Sequence, residues 1–228
     1  LVEIFPAGSA TPAISGTVNL MADTDYTAIA TGDGVNHPLA LMAMVDDNTP
    51  PAAGSFKLRL GHLAPFAPGD ALADIRLQNG DPVLTDVPYS AVAPYLELPA
   101  GEYDLKITTP GGAVTLIDPL PVTFTDGQIL SAFATGEGAN QPLGAYALPA
   151  GQMGFFLPLV GWPNLQVAHL APFAMDPGTA VTVTLDGVPV LTDFAYGDST
   201  EYLPVPAGEY LVEIFPAGSA TPAISGTV

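Results

Sequence analysis

The sequence predicts an all-β chain made of tandem antiparallel β-sandwich modules, immunoglobulin-like in architecture. Three observations lead there. With 25 Pro and 24 Gly spread through 228 residues, no long helix fits, because Pro breaks the helical ladder and Gly weakens it. Short β-favouring runs alternate with turn residues about every 8 to 12 positions, the spacing of a sandwich. Long blocks of the chain also recur, the signature of an array of like units.

The most complete module runs from Lys57 to Ala150. Leu58-Arg59-Leu60-Gly61-His62 alternates with period two, as a half-buried strand does. Asp74-Ile75-Arg76-Leu77 runs into Asn79-Gly80, the strongest short hairpin signal. Tyr95 to Leu98 ends at Pro99-Ala100-Gly101, and Tyr103 to Ile107 alternates as far as Pro110-Gly111-Gly112. Val114–Ile117, Val122–Phe124 and Ile129–Thr135 complete about seven strands.

Two repeats of different age set the organisation. Leu1–Val18 and Leu211–Val228 both read LVEIFPAGSATPAISGTV, a period of 210 residues with no substitution. Inside it, Leu58–Tyr103 aligns with Leu165–Tyr210 at an offset of 107, and 22 of the 46 positions are identical. The shared blocks are H-L-A-P-F-A at 62–67 and 169–174, P-V-L-T-D at 82–86 and 189–193, and P-A-G-E-Y at 99–103 and 206–210. Ala134–Leu143 likewise answers Ala30–Leu39. Residues 1–56 therefore read as the C-terminal part of a split module with its linker. Residues 57–150 are a complete module, 151–164 an apolar connector, and 165–228 the N-terminal part of the split module. The opening Leu1-Val2-Glu3-Ile4-Phe5 reads as mid-strand, so the expectation is a window on modules alternating along a longer polypeptide. The alternative is non-covalent completion, in which a strand of one subunit finishes its neighbour's sandwich. The covalent array is preferred, because a severed half-module leaves unpaired edges.

Composition excludes several functions. The net charge is −19, with Lys57, Arg59, Arg76 and Lys106 the only cations. Nucleic acid, bound through phosphate neutralisation, is not an expected partner, nor is an anionic membrane surface. Gly, Pro, Asp or Thr interrupts every apolar run before the roughly 18 residues of a membrane-spanning helix. The acidic surface reads as repulsion that maintains solubility, with cation binding as the sharper alternative. Cysteine is absent, which removes disulfides, thiolate ligands and Cys nucleophiles.

The two connections differ. Asp46 to Ser55 is polar and stiffened by Pro50-Pro51. Phe155, Phe156, Leu157, Leu159, Val160 and Trp162 form an apolar run holding the only Trp. Such a run is expected to be covered, either as an interface between modules or chains or as a strand of its own module. Exposure of Trp162 would count against both.

No catalytic constellation emerges. His62 and His169 occupy matched strand positions, but no second His or Cys stands at ligand spacing. Both read as structural, hydrogen-bonded near a strand end. Tyr103 and Tyr210 read as core or corner tyrosines. Asp23 with Asp25, Asp46 with Asp47, and Glu137 with its match Asp33 cluster without a D-x-D-x-D-G calcium loop. Linker calcium at Asp46-Asp47-Asn48 stays open as an alternative. The glycine-rich 31–34 and 135–138 turns lack the Lys of a phosphate loop, and no G-x-S-x-G appears. The expectation is no enzyme, no cofactor and no metal.

The H-L-A-P-F-A, D-G-V-P-V-L-T-D (186–193) and P-A-G-E-Y blocks resemble the domain of unknown function 4397 family. The resemblance covers nearly the whole chain, with Phe66 and Phe173 where the family often has Asp. It implies a β-sandwich in secreted or surface proteins of bacteria and archaea, often in several copies, and carries over no catalytic residue. The function expected is thus a structural repeat of an extracellular fibre, pilus-like filament or surface stalk whose partners are copies of itself. A surface adhesin or glycan-binding array, using Tyr89, Tyr95, Tyr196 and Tyr202, is the alternative. Exposed rings would favour it.

Overall fold

A computed structural model of the chain describes residues 1–173, 179–205 and 207–228. Ala174 and Pro206, members of the repeated blocks, lie outside the described residues. Among the described residues the chain is all-β apart from one short 3-10 turn at Pro110–Gly112, and it divides into two units, Leu1–Val160 and Gly161–Val228.

The first unit opens with two antiparallel pairs. β1 (Val2–Ile4) lies against β2 (Ile14–Gly16), and β3 (Tyr26–Thr31) against β4 (Ala40–Val45). Then come β5 (Ser55–His62), β6 (Ala73–Leu77), β7 (Pro82–Val87), β8 (Leu96–Pro99), β9 (Gly101–Tyr103) and β10 (Leu105–Thr108). β11 (Thr115–Ile117), β12 (Val122–Phe124), β13 (Ile129–Thr135), β14 (Gly144–Pro149) and β15 (Phe155–Phe156) complete it. One sheet has the order β15-β14-β13-β5-β8, the facing one β11-β10-β6-β7, with the pair β12-β9 beside them. Leu58 and Leu60 of β5, Ile75 of β6, Ile107 of β10 and Phe124 of β12 line one common apolar interior. That shared core makes the module a sandwich.

Two features depart from simple alternation. The run Tyr103–Ile107, expected as one strand, is two: it breaks at Asp104, where the chain leaves β12 and joins β6. β5, the first strand of the module, lies parallel to β13 over six residue pairs from Ile129↔Lys57 to Ala134↔His62. At the Asn79-Gly80 signal, β6 and β7 form the expected hairpin, with Gly80 at φ 98° donating to Leu77 O.

The complete module extends past Ala150. β15 pairs with β14 (Tyr146↔Phe156, Ala147↔Phe155), Leu159 bridges to Pro119, and Val160 N donates to Asp118 O. The connector expected over 151–164 is therefore, up to Val160, the closing segment of that module. Its apolar side chains have a sheet edge to lie on.

The second unit contains β16 (Asn164–Leu165), β17 (Val181–Leu185), β18 (Val188–Phe194), β19 (Leu203–Pro204), β20 (Leu211–Pro216) and β21 (Ile224–Thr227). Its sheets are β18-β17-β20-β21 and β16-β19. Val181, Val183 and Phe194 form the buried centre, with Val167, Leu191, Val212 and Ile214 against it. β17 matches β6 at an offset of 108, not 107, because the paired residues Thr184 and Pro189 are five positions apart and their counterparts Arg76 and Pro82 are six. The Asp74–Arg76 ion pair of one module is thereby replaced by Thr182 and Thr184 in the other.

Candidate functional site

The site with the most chemistry is the junction where the β3–β4 hairpin and the segment after it meet the complete module. Asp46 and Asp47 follow β4 directly, and Lys57 and Arg59 point from the same side of β5, as alternation requires. Arg59 Nη2 lies 2.7 Å from Asp46 Oδ1, its Nη1 donates to Val45 O (3.1 Å), and its Nε donates to Ser131 Oγ (2.8 Å). The guanidinium carbon stands 4.7 Å over the Tyr95 ring. With Thr27 Oγ1 donating to Asp46 Oδ2 (2.7 Å), a deeply buried ion pair has its polar atoms occupied. That occupancy is the condition for such a pair to be tolerated away from water.

Lys57 Nζ donates to Asp47 Oδ2 (2.7 Å) and Thr49 Oγ1 (2.6 Å). The Lys57 ammonium, with Thr49 behind it, holds the Asp47 carboxyl down to about 2. Asn48 Nδ2 donates to Asp25 Oδ2, and Ala52 N to Glu97 Oε1. The polar linker is thus pinned along its length. Its carboxylates hold cationic, hydroxyl and amide donors of the protein itself, and no cluster of three or more metal-binding side chains occurs among the described residues.

A second set of contacts closes the other end of the hairpin. Thr31 Oγ1 and Tyr89 OH are 2.7 Å apart, the His37 ring lies tilted with its centroid 4.0 Å from that of Tyr89, and His37 Nε2 bonds Ala67 O (2.9 Å). The loop that carries His37 is shaped by glycine. At Gly32 (φ 97°) a Cβ would lie 2.2 Å from Pro38 O, and at its counterpart Gly136 (φ 82°) 2.0 Å from Pro142 O. Asp33 accepts from the amides of Val35 and His37, and Glu137 from those of Asn140 and Gln141. The matched acidic residues therefore close matched loops. Amide donation from His37 is the main influence lowering the Asp33 carboxyl.

The histidines act inside the sandwich. His62, 1% exposed, donates from Nε2 to Ala71 O (2.6 Å) and accepts the Ala64 amide at Nδ1 (3.3 Å). His169 makes the same pair of contacts with Thr179 O and the Ala171 amide. Burial pushes His62 down and keeps it neutral. Tyr103 OH donates to Pro99 O four residues back (2.8 Å), a corner contact.

The apolar run divides along its length. Leu159 is buried, Leu157 and Trp162 are half-buried, and Phe155, Phe156 and Val160 are about half exposed. Phe156 meets Tyr146 edge-on at 5.1 Å. The four candidate tyrosines also divide. Tyr89 and Tyr95 are engaged at the junction, while Tyr196 and Tyr202 are exposed. The junction itself was not legible as a site, since nothing in the sequence says that 46–47 and 57–59 face one another. The one available signal was that two of the four cations sit in β5 while their matches are Asn164 and Gln166.

No curated protein matches the chain. The model of a domain of unknown function, DUF4397, matches three times, at residues 2–70, 67–152 and 163–228. Together those matches cover nearly every residue, so the chain belongs to the DUF4397 family.

Proposed function

We propose that the chain is a structural repeat of an extracellular fibre, pilus-like filament or cell-surface stalk, its modules joined end to end with a 210-residue period. The observation that carries the reading is the junction. A module's β3–β4 hairpin is fixed to the next module by two ion pairs and a Thr–Tyr hydrogen bond, with the Arg59 guanidinium held over the Tyr95 ring. A connection that rigid transmits direction from one module to its successor, which a stalk needs and a tethered enzyme does not. The unsubstituted 18-residue repeat supports equal, regularly spaced units. All four cations are engaged within the fold, Lys106 through Gln78 O. The carboxylates left outside repel neighbouring fibres and oppose side-by-side clumping.

A domain of this size has a radius of gyration near ~13 Å, so each module adds roughly 35 Å and each repeat roughly 70 Å. Electron microscopy of material shed from the source cells checks this. An axial period near ~70 Å is expected, together with a boiled, denatured ladder or very large band. Globular particles and a lone band at 23.3 kDa refute it. The adhesin reading draws on exposed Tyr196 and Tyr202; glycan-array binding lost in Tyr202→Ala would favour it.

A further inference from the structure

In the complete module β13 is flanked on both sides, by β14 and by β5 in parallel. Its counterpart β3 is paired on one side only among the described residues, with β4. The counterpart of β5 is the segment 164–169, whose described pairings are β16 with β19 and Ala168 with Ser199. One half-module lacks the neighbour that the other half-module presents. The second unit also carries an apolar groove lined by Val167, Phe173, Val181, Phe194, Ile214 and Ile224. Phe173 and Ile224 are about half exposed in it, and the adjoining Leu170 is 70% exposed.

We infer that this groove and strand edge receive the β3–β4 hairpin of a second copy of the chain, β3 lying parallel to residues 165–169. The inference rests on the fibre reading and gives it a register. Transferred from the complete module, that register pairs Tyr26 with Leu165, Thr27 with Gln166, Ala28 with Val167, Ile29 with Ala168 and Ala30 with His169.

Two side-chain exchanges support this seating. In the complete module Phe133 covers Gly61, where an added Cβ would lie 2.7 Å from the ring. The counterparts are Ile29 and Ala168, so the smaller covering residue faces the position that has gained a methyl group. The Arg59–Ser131 hydrogen bond has as its counterpart Gln166 and Thr27, again a long donor facing a hydroxyl. Each half has changed in the sense that the other requires. A one-residue slip would turn every one of these side chains to the wrong face.

The same 18 residues, 1–18 and 211–228, flank the two halves. In the second unit they form β20 and β21, with β20 against β17. Near the N-terminus they form β1 and β2, with β1 paired only to β2 among the described residues. Either copy of the segment can fill the one place beside β17, so a second copy docks its hairpin without a new sequence being needed.

The absence of cysteine makes the test direct. Full-length chains carrying Thr27→Cys and Gln166→Cys are mixed and oxidised, and a disulfide-linked dimer is expected on a non-reducing gel. Mixing Thr27→Cys with Val167→Cys, shifted by one residue, should lose that band. Ala168→Glu, at an exposed position, should abolish association while circular dichroism and thermal midpoint stay those of the parent. Filaments that form with no disulfide overturn the seating and leave the fibre reading intact. A Thr27→Cys/Gln166→Cys chain that closes on itself as a monomer overturns docking between copies. Chains that stay monomeric and uncrosslinked at every concentration overturn docking between copies, while the fibre reading falls separately, on a lone denatured band at 23.3 kDa.

Discussion

Arg59 of β5 and Asp46, just past β4, lie 2.7 Å apart, and their side chains are 5% and 13% exposed. The same guanidinium holds Ser131 of β13 and covers Tyr95. One side chain thus ties a hairpin to the module that follows it. The matched position in the second unit is Gln166, which carries no charge, and Lys57 is matched by Asn164.

Arg59→Gln is expected to destabilise the first unit by about 3 kcal/mol, because among the described residues Asp46 keeps only the Thr27 hydroxyl as a side-chain partner. Urea unfolding measures the loss. Hydrogen exchange should show β3 and β4 amides opening before those of β13 and β14. Uniform acceleration across both pairs would mean that Arg59 acts on the sandwich rather than on the junction.

Tyr89→Phe removes the hydroxyl that meets Thr31 and keeps the ring beside His37. The cost should be about 1 kcal/mol, the usual net worth of one hydrogen bond. In a double-mutant cycle with Thr31→Val the second change should cost little once the first is made. Additive losses would show that the two hydroxyls do not interact.

Stability should fall on acidification. The Lys57 ammonium, with Thr49, depresses Asp47 to about 2. Burial alone would raise Asp74, yet donation from the Asp86 amide, Arg76 and the Gly111 amide outweighs it and leaves that carboxyl low. Unfolded carboxyls titrate near ~4, so the unfolded chain takes up protons first. The contribution of both groups is whole above ~4 and fades as pH falls toward about 2 for Asp47. His62, pushed down by burial, adds a loss that begins below ~6.5 as the unfolded imidazole protonates. Urea midpoints from pH 7 to 2 record the slope, and Asp47→Asn should flatten its lowest part. Parallel profiles for parent and variant would refute the Asp47 assignment.

Gly136→Ala should cost roughly 1–3 kcal/mol for its left-handed backbone, and more for a Cβ placed 2.0 Å from Pro142 O. Gly80→Ala is the comparison, since φ there is also positive (98°) but nothing lies within 4 Å of the added carbon. Thermal unfolding should rank Gly136→Ala well below Gly80→Ala. Equal midpoints would mean that the 135–143 loop rearranges freely.

Much of the fold could be read from the residues, because strand periodicity and turn chemistry are local. Ile129–Thr135 and Val122–Phe124 are strands with the bounds expected, and Asn79-Gly80 turns a hairpin. The break at Asp104 was not visible, since an alternating run carries no mark of which sheet each half joins. The parallel β5–β13 pairing links residues about seventy positions apart, and local pattern says nothing about such a partner. The offset of 108 at β17 was hidden because Gly80 and Gly187 align at 107 while the strands before them do not. The junction escaped for a similar reason. Its residues read as a solvated acidic linker and an ordinary strand until the fold sets them face to face.

The direction of the strands decides how a module bears load. Tension applied along the chain enters the sheet at the start of β5 and leaves beyond the far end of β15. β5 and β13 are parallel, and β15 follows through two antiparallel steps, so it runs the same way as β5. The pull therefore acts along the hydrogen-bond ladders in shear, and the six β5–β13 pairs resist together. A hairpin tugged at its two ends would instead unzip one rung at a time. The tie between β5 and β13 gives the module the geometry of a tensile link.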